Sequence, residues 1–504
     1  MANHHGTSLP RGLEDVPHSE LILGRFGRMF RTLPEFDPPT SLINRLALEM
    51  RETAGRDSPG NGSGGDETSA DDNPEIPAGF TYVGQFLDHD LTFDPASSLQ
   101  HQNDPNALTD FRTPRLDLDS VYGSGPADQP FIYDTNDSAK LLIGQNPAAD
   151  ANGNPLEARD LPRNQQGRAL IGDKRNDENI IVSQLQLTFL DFHNQVVDDI
   201  RAGNLAGAVR SHDPADVFSE AQRLVRWHYQ WAIAFDFLPR IVGRDVVDSM
   251  LKTERRTARH GQHETIHRFA PAKPIYRVKD KPFMPVEFSV GAYRFGHSQI
   301  RPEYDLNDDV ENVPIFIDDP DNAPITAHLG GFRPLPADWT IDWGHFFNVP
   351  GHDAPELTRK IDTKLSLPMT ALPHNIAPDG SAGKSLAFFN LLRGKRLGLP
   401  SGQSVARAID ADVLTPAEVG FSGPAPLWYY ILKEADVQHA GRHLGQTGGR
   451  IVAEVILALI DLDRTSFLSQ DPAFKPVLDR ADPADFTFVD LISLAIKQRS
   501  AVHA

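Results

Sequence analysis

The sequence predicts a mainly α-helical protein with long loops and few short strands. In its clearest helical segment, ENIIVSQLQLTFLDFHNQVVDDI, apolar residues recur three or four positions apart and form one stripe for burial. That stripe consists of Ile181, Leu185, Phe189, Phe192, Val196 and Ile200. Four other segments have a helical pattern: 221–242, 286–300, 385–396 and 448–460. Strand-like alternation is confined to short pieces such as PIYRV (274–278) and FTFVDLI (486–492).

The composition is that of a globular protein, and its charge disfavours nucleic acid and membranes as partners. The 504 residues are 39% hydrophobic and include 38 glycines, a content typical of a folded domain. The formal net charge of −20 repels phosphate backbones and anionic lipids. The most apolar stretch, 451–460, already contains Glu454 and is too short to span a bilayer. We therefore expect a soluble protein.

Cysteine is absent from the whole sequence. Its absence excludes disulfides, thiolate catalysis and thiolate ligation of a metal or haem. Any metal must bind nitrogen or oxygen, and 19 histidines are available. The first residues, MANHHGTSLPRGLEDV, lack the apolar segment that follows the basic region of a secretory signal. We predict a cytoplasmic protein, with non-classical export as the alternative.

The chain divides into three regions by composition. Residues 1–50 are expected to be an arm packed on the main domain, with short helical pieces such as ELILGRFGRMFRTL. Residues 51–76 are rich in glycine, serine and aspartate over most of their length and are predicted to form a flexible loop. Residues 77–504 are expected to fold as one large catalytic domain.

The segment GQFLDHDLTFDP places polar residues at helical spacing. On a helix, Asp88 and His89 lie to either side of Gln85 and face one site with it. Asp90 is a further 100° or so round the helix, so it serves a second site. Histidine is the usual residue for moving a proton near neutral pH. The alternative is an ordinary hydrogen-bonded histidine on an acidic helix.

This segment resembles the distal-histidine motif of the animal-type haem peroxidases, the superfamily that also contains the cyclooxygenases, and family-like sequence extends from about Pro77 to Leu468. The resemblance implies the haem peroxidase fold. It implies that His89 moves the peroxide proton and that Gln85 orients water or halide. It also implies that Asp88 forms an ester with haem and that Asp90 binds calcium.

A calcium loop is predicted in TPRLDLDSVYGSG, where the family has its calcium site. Calcium takes six to eight oxygen ligands, which a short extended loop supplies from alternate residues. Besides Asp90, the expected ligands are Thr113, Arg115, Asp117 and Asp119. Arg115 would use its backbone carbonyl, and its charge is expected to point outward. The alternative is an acidic turn without an ion.

The segment LIGDKRNDENIIVSQL predicts a helix start with Asp173 as the N-cap, from which Arg175 and Glu178 project. In the resembled family an arginine at this place polarises the outer peroxide oxygen. An acid three residues later forms a second haem ester. These roles fall to Arg175 and Glu178, and an exposed salt bridge is the alternative. Asn179 stands where one family member has a methionine linked to haem, so at most two esters are expected.

The proximal side is predicted in GAYRFGHSQIRPEY, where Arg294 and His297 share a helix face. The resemblance makes His297 the iron ligand and Arg294 a partner of a haem propionate. It also makes Asn390 the acceptor of a hydrogen bond from His297, and Arg393 a second propionate partner. For Asn390 the alternative is an amide on a helix surface.

The sequence leaves two other enzyme classes and an inert module as alternatives to a peroxidase. Cyclooxygenases have a radical tyrosine three residues before the proximal histidine, where this chain has Arg294; Tyr293 is one position earlier. This disfavours, without excluding, a fatty-acid dioxygenase. The zinc motif HExxH occurs at 263–267, but its few apolar neighbours and the proline four residues later favour a solvated loop. An inert interaction module would be expected to lack one or more of the catalytic residues.

The resemblance therefore implies an enzyme that binds haem b and Ca²⁺. It implies reduction of hydrogen peroxide to water through Compound I, followed by oxidation of small organic donors, halide or thiocyanate. The catalytic residues would be Gln85, His89 and Arg175.

Overall fold

In a computed structural model of the chain, the described residues are 24–52, 70–92, 109–110, 113–149, 155–257, 263–278, 281–336, 338–373 and 384–501. Helices dominate these ranges, which confirms the mainly α-helical prediction. The α-helices are α1 (Thr40–Glu49), α2 (Gly79–Leu91), α3 (Asp119–Tyr122), α4 (Ile180–Arg201), α5 (Val217–Ala232), α6 (Leu238–Val242), α7 (Arg244–Met250), α8 (Leu367–Thr370), α9 (Leu386–Arg396), α10 (Gly402–Ala408), α11 (Pro416–Val419), α12 (Leu427–His439), α13 (Gln446–Leu462), α14 (Phe467–Gln470) and α15 (Phe488–Ala501).

The strands are short and form one three-stranded sheet and four pairs within the described ranges. They are β1 (Gly24–Gly27), β2 (Asp72–Pro77), β3 (Thr109–Asp110), β4 (Gly144–Ala149), β5 (Pro155–Asp160), β6 (Leu251–Thr257), β7 (His263–Phe269), β8 (Met284–Pro285), β9 (Glu303–Tyr304), β10 (Val313–Pro314) and β11 (Leu357–Arg359). The sheet has the order β3-β1-β8, and the pairs are β9-β10, β2-β11, β4-β5 and β6-β7. No helix in the described part of the chain has the length and apolar character needed to cross a membrane.

The core is built around α4, which is buried along most of its length and packs against α2, α5 and α15. The ring of Phe86 on α2 stacks on Phe189 of α4 with 4.5 Å between ring centroids. Gly79 lets α2 start close to the ring of Phe347, since a Cβ there would lie 2.3 Å from that ring. Each buried aromatic side chain contributes about 1.5–3 kcal/mol, so the helix with the distal motif is held firmly.

Two of the predicted helices are irregular. Residues 286–300 form a π-helical turn, Glu287–Gly291, and then a 3₁₀-helix, Ala292–Gln299, rather than one α-helix. A second π-helical turn, Ile233–Phe237, separates α5 from α6. π-Helical turns are frequent at functional sites, and a helical sequence pattern does not reveal them.

Three local predictions are wrong. PIYRV has no strand, and FTFVDLI leads into α15, where Phe488, Leu491 and Ile492 are buried at helical spacing. In the arm, the described part of ELILGRFGRMFRTL contains strand β1, which pairs with β3 and β8. Alternation over a few residues is too weak a pattern to decide between strand and helix.

The HExxH motif lies in strand β7, not in a solvated loop. Strand β7 pairs with β6 from Leu251↔Phe269 to Thr257↔His263. Four residues along a strand span about 13 Å, so the two histidines of the motif do not form the helical zinc site. Of the predicted flexible loop, residues 53–69 lie outside the described residues, and its end forms most of strand β2.

Candidate active site

A cavity of about 600 Å³ lies between α2 and the 3₁₀-helix Ala292–Gln299. Its volume is in the range of small-molecule and cofactor sites. The described residues that line it are Thr81, Tyr82, Gly84, Gln85, Asp88, His89, Glu178, Asn179, Tyr293, Arg294, Phe295, Gly296, His297, Gln299, Ile300, Ile315, Phe316, Ile317, Pro320, His328, Gly330, Gly331, Phe332, Met369, Leu372, Pro373 and Leu386. Polar groups from α2 and Glu178 therefore share one space with His297 and a largely apolar wall.

His89 is held in one orientation on the cavity wall. Its side chain is 4% exposed, and its Nδ1 lies 2.7 Å from Oδ1 of Asn176. The amide of Asn176 in turn donates to Gln186 at 2.7 Å, which leaves its oxygen as the atom that faces His89. Nδ1 therefore carries the hydrogen, and Nε2 keeps a lone pair that can accept a proton.

Glu178 stands beside this lone pair. Its Oε1 lies 3.3 Å from Nε2 of His89 and also accepts a hydrogen bond from Gln85. Burial alone would raise the pKa of Glu178, but the hydrogen bond and charge that His89 offers when Nε2 is protonated, with Gln85 and Arg175 also contributing, outweigh it and lower the pKa. A carboxylate therefore lies next to the nitrogen of His89 that faces the cavity.

Arg175 lies behind this wall and is not among the residues that line the cavity. It follows Asp173, the N-cap of the short 3₁₀-helix Lys174–Asp177, as the sequence predicted. Its guanidinium forms a 2.7 Å ion pair with Asp173 and donates to the backbone carbonyl of His89 at 2.9 Å. The structure thus places Arg175 against the backbone of His89.

His297 forms the opposing part of the site with Asn390 of α9. The amide nitrogen of Asn390 lies 2.7 Å from Nδ1 of His297. A half-turn of the amide would place its oxygen there as the acceptor for Nδ1–H and would leave Nε2 free as a ligand atom. Burial, with the charge of Arg294 as the smaller cause, lowers the pKa of His297 to about 3. The imidazole is therefore neutral, as a metal ligand must be.

The two arginines predicted beside His297, Arg294 and Arg393, differ in position. Arg294 lines the cavity, and its Nε donates to the carbonyl of Ser289 at 2.9 Å. Its own carbonyl accepts from the indole of Trp428 at 3.1 Å. Arg393 lies one turn after Asn390 on α9 but is not among the cavity residues.

Three acidic side chains of the predicted calcium site, one from α2 and two from the loop, come together. Oxygen atoms of Asp90, Asp117 and Asp119 lie within 4.8 Å of one another. Asp90 is fully buried and Asp117 is 3% exposed. The hydroxyl of Thr113 donates to Asp117 at 3.0 Å, so the threonine is also in place. Burial of several carboxylates is costly unless a cation compensates them, and the ligand set fits Ca²⁺.

The expectation that the charge of Arg115 points outward is wrong. Its guanidinium is 13% exposed and forms a 2.8 Å ion pair with Asp117. A second carboxylate, that of Asp463, lies 3.7 Å away. The negative charge of the cluster attracts the guanidinium, and a spacing rule that treats the loop alone could not reveal Asp463.

Sequence reasoning did not predict the contacts of three residues of the site. Asn176 orients His89, and only the fold brings the two together. Tyr293 lines the cavity, and its hydroxyl donates to the carbonyl of Gly84 at 3.2 Å, linking the two halves of the site. Asn179 is the N-cap of α4 and donates to Gln85 at 3.2 Å. The rule that asparagine precedes an apolar helix could have identified Asn179.

The residues present fit a haem group. A neutral histidine and a second histidine lie on separate elements that line one cavity, and that cavity has a long apolar wall. The hydroxyl of Thr81 on its wall is buried and has no hydrogen-bond partner among the described residues. A buried polar atom of this kind needs a partner from a ligand or from water. Asp88, Glu178 and Arg294 add the carboxylates and the cation expected around such a group.

Fold and site together define a mainly α-helical protein with a cavity between two histidine-bearing elements. The family model for "Animal haem peroxidase" matches residues 96–408, more than half of the chain. The chain therefore belongs to the animal haem peroxidase family. The match is narrower than the resemblance predicted from about Pro77 to Leu468, and the motif with Gln85 and His89 lies just before it.

Curated peroxidases resemble the chain in sequence, and solved structures share its fold. A peroxidase-like protein of Margaritifera margaritifera is 25% identical over 343 residues, which are 62% of this chain and 38% of that protein. Peroxidase A from Dictyostelium discoideum has a TM-score of 0.56 and 14% identity, with 92% of this chain and 95% of that chain covered. A fatty acid alpha-dioxygenase of Arabidopsis thaliana has a TM-score of 0.57 and 13% identity, with 93% and 77% covered. The chain spans 16–38% of the length of the curated relatives it matches.

Proposed function

We propose that this protein is a haem peroxidase that reduces hydrogen peroxide to water and oxidises small organic donors, halide or thiocyanate. The observation that carries the proposal is the pair His89 and His297 on one cavity, the first with a free lone pair and the second neutral and bonded to Asn390. One histidine suits proton transfer and the other suits iron ligation.

His297 would hold the haem iron through Nε2, with Arg294 beside a propionate. When bound, the haem supplies the two electrons that peroxide reduction requires and later recovers them from the donor. Asn390 would keep the hydrogen on Nδ1 and increase electron donation from the imidazole. Arg393, one turn further along α9, is proposed as a second propionate partner.

His89 is the proposed acid and base of the distal side. Nε2 would take a proton from hydrogen peroxide and return it to the departing oxygen as water forms. Asn176 would hold the ring so that Nε2 faces the cavity. Gln85 would orient a water or halide.

Arg175 is proposed to act on the distal side through its charge. Its guanidinium reaches the carbonyl of His89 and lies close enough to contribute to the lowered pKa of Glu178. A guanidinium remains charged at every working pH, so it favours the negative charge that develops as the O–O bond breaks.

A fatty-acid dioxygenase is the second candidate. Tyr293 lines the cavity beside a wall with Ile315, Phe316 and Leu372, which an alkyl chain could contact. A solved fatty acid alpha-dioxygenase shares the fold. The hydroxyl of Tyr293 is engaged with the carbonyl of Gly84, which favours a structural role over a radical one.

One set of assays separates the two candidates. The haem-loaded protein is mixed with hydrogen peroxide and either guaiacol or bromide, and separately with palmitate under oxygen. We expect peroxide-dependent oxidation of guaiacol or bromide and no oxygen uptake with palmitate. Oxygen uptake with palmitate, combined with no peroxide-dependent turnover, would overturn the peroxidase proposal.

Asp88 and Glu178 are proposed to form ester links to haem. Both line the cavity, and they come from separate parts of the chain. Acid and organic solvent should leave haem in the wild-type protein and extract it from the double variant Asp88→Ala/Glu178→Ala. Extraction from the peroxide-treated wild-type protein would rule out the links. The control variant Asp308→Asn/Asp410→Asn replaces two exposed carboxylates and should retain its haem under the same treatment.

Calcium is proposed to stabilise the distal helix. At a calcium concentration of 100 times the Kd, one site contributes about 2.7 kcal/mol to the free energy of unfolding. A chelator should therefore lower the melting temperature of the wild-type protein but not of Asp117→Asn. Asp134→Asn, which changes an acidic turn elsewhere, should keep the response to chelator. An identical melting temperature with and without chelator would contradict a calcium site.

We also propose that the chain works in the cytoplasm. The absence of cysteine from 504 residues supports a location where disulfides are not used.

A further inference from the structure

We propose that residues 24–38, which we call the arm brace, set the hydrogen bond between Asn390 and His297. Glu287 and Arg28 are the positioning residues that fasten this brace to the two elements that carry His297 and Asn390. The inference rests on the proposed function, because it concerns the histidine that would bind haem iron. The arm brace lies outside the span matched by the family model, 96–408, so it is a feature of this chain beyond that match.

The first fastening is at Glu287. This residue opens the π-helical turn that leads directly into the 3₁₀-helix with His297. Its carboxylate is fully buried and accepts from the backbone N–H groups of Met29 at 2.9 Å and Phe30 at 3.2 Å. Loss of an acceptor would leave a buried backbone N–H without a partner, so this contact holds the arm against the π-helical turn.

Backbone pairing beside Glu287 strengthens the same fastening. Strand β1 runs parallel to β8, with Phe26 opposite Met284 and Gly27 opposite Pro285. Gly27 allows the close approach, since a Cβ there would lie 2.6 Å from the ring of Phe283. The arm is thus attached to the strand that lies just before the π-helical turn Glu287–Gly291.

The second fastening is at the end of α9, the helix that carries Asn390. The guanidinium of Arg28 donates to the carbonyls of Gly398 at 2.7 Å and Leu397 at 2.9 Å. Its position is fixed in turn by a 2.8 Å ion pair with Glu35. The last carbonyls of a helix have no partner within the helix. A basic side chain there donates hydrogen bonds to them, and its positive charge interacts favourably with the helix dipole.

The arm also reaches the immediate surroundings of Asn390. Phe36 donates its backbone N–H to Leu399 at 3.0 Å, and Lys395 of α9 donates to the carbonyl of Pro38 at 2.7 Å. Phe36 and Pro38 line the same small void as Asn390. Displacement of the arm would therefore open space next to the amide that contacts His297.

These contacts place one continuous segment across both partners of the proximal hydrogen bond. Glu287 is ten residues before His297, and Arg28 holds the far end of the helix with Asn390. A hydrogen bond to the outer nitrogen of a ligating histidine controls its basicity and the properties of the metal. Loosening either fastening should therefore weaken electron donation to iron without removing any group of the cavity.

The test uses the ferrous haem-loaded protein and its iron–histidine stretching frequency. Asn390→Val removes the hydrogen bond to His297 and should shift the band to lower frequency. This variant is the reference for the direction of the shift. Glu287→Gln keeps one acceptor and should shift the band in the same direction by a smaller amount. Arg28→Met, which keeps the aliphatic stem, should do the same and carries the test if Glu287→Gln fails to fold. When either substitution is combined with Asn390→Val, the frequency should shift little beyond that of Asn390→Val alone, because both substitutions act through the same hydrogen bond.

Glu434→Gln is the matched control. Glu434 is also fully buried and accepts from two backbone N–H groups, those of Thr447 and Gly448, but it holds the start of α13. Its replacement should lower thermal stability and leave the iron–histidine frequency unchanged. An unshifted band in both Glu287→Gln and Arg28→Met would overturn the brace. A wild-type protein with no iron–histidine band would instead overturn the proposed function.

Discussion

Replacing His297 with alanine should abolish haem binding and the Soret absorption band. His297 is the neutral imidazole on the cavity, and the residues that line the cavity offer no second histidine bonded to an amide of α9. Changing an outer partner of a metal ligand typically costs roughly 10–100-fold in affinity, so loss of the ligand itself should cost more. The affinity is measured by titration of haemin into the purified variant.

His193 provides the control for this substitution. It is fully buried, its pKa is lowered to about 4 mainly by burial, and it lies away from the cavity, bonded to Tyr122 and to the carbonyl of Ala139. His193→Ala should reduce thermal stability but keep the Soret band. An unchanged Soret band in His297→Ala would show that another residue binds the iron.

Replacing His89 with leucine should slow the reaction with peroxide by about 10²–10⁴-fold, the usual contribution of a positioned acid–base group. Leucine fills similar space and removes the nitrogen that accepts the proton. The haem should still bind, because His297 is untouched. Stopped-flow mixing with hydrogen peroxide measures the rate constant.

Two further variants sharpen this prediction. Asn176→Leu removes the acceptor of the Nδ1 hydrogen and should give a smaller loss, because His89 remains but is no longer held in one orientation. His345→Leu, which changes a histidine outside the cavity, should react at the wild-type rate. A wild-type rate in His89→Leu would contradict the assignment of His89 as acid and base.

The sequence could predict those parts of the fold and site that local patterns determine. The apolar stripe of α4 has a regular helical spacing, and the helix spans Ile180–Arg201 as expected. The spacing of Gln85, Asp88 and His89 correctly places all three on one cavity. Asp90 correctly turns away toward the acidic loop. In each case the periodicity of a helix is sufficient information.

Features that depend on distant partners could not be predicted. Arg115 turns inward because Asp463, far along the chain, adds negative charge beside Asp117. Arg175 contacts a backbone carbonyl on α2, and no spacing rule reveals such a contact. The π-helical turn before His297 begins at Glu287, the residue that the arm contacts. These are tertiary effects that override local preference.

The central claim, that this chain binds haem through His297 and uses it to react with peroxide, is tested most directly by absorption spectroscopy. Haemin is titrated into the purified protein, and the spectrum is recorded before and after one equivalent of hydrogen peroxide. We predict a Soret band that saturates at one haem per chain and changes on addition of peroxide. A titration in which the spectrum remains that of free haemin would contradict the claim.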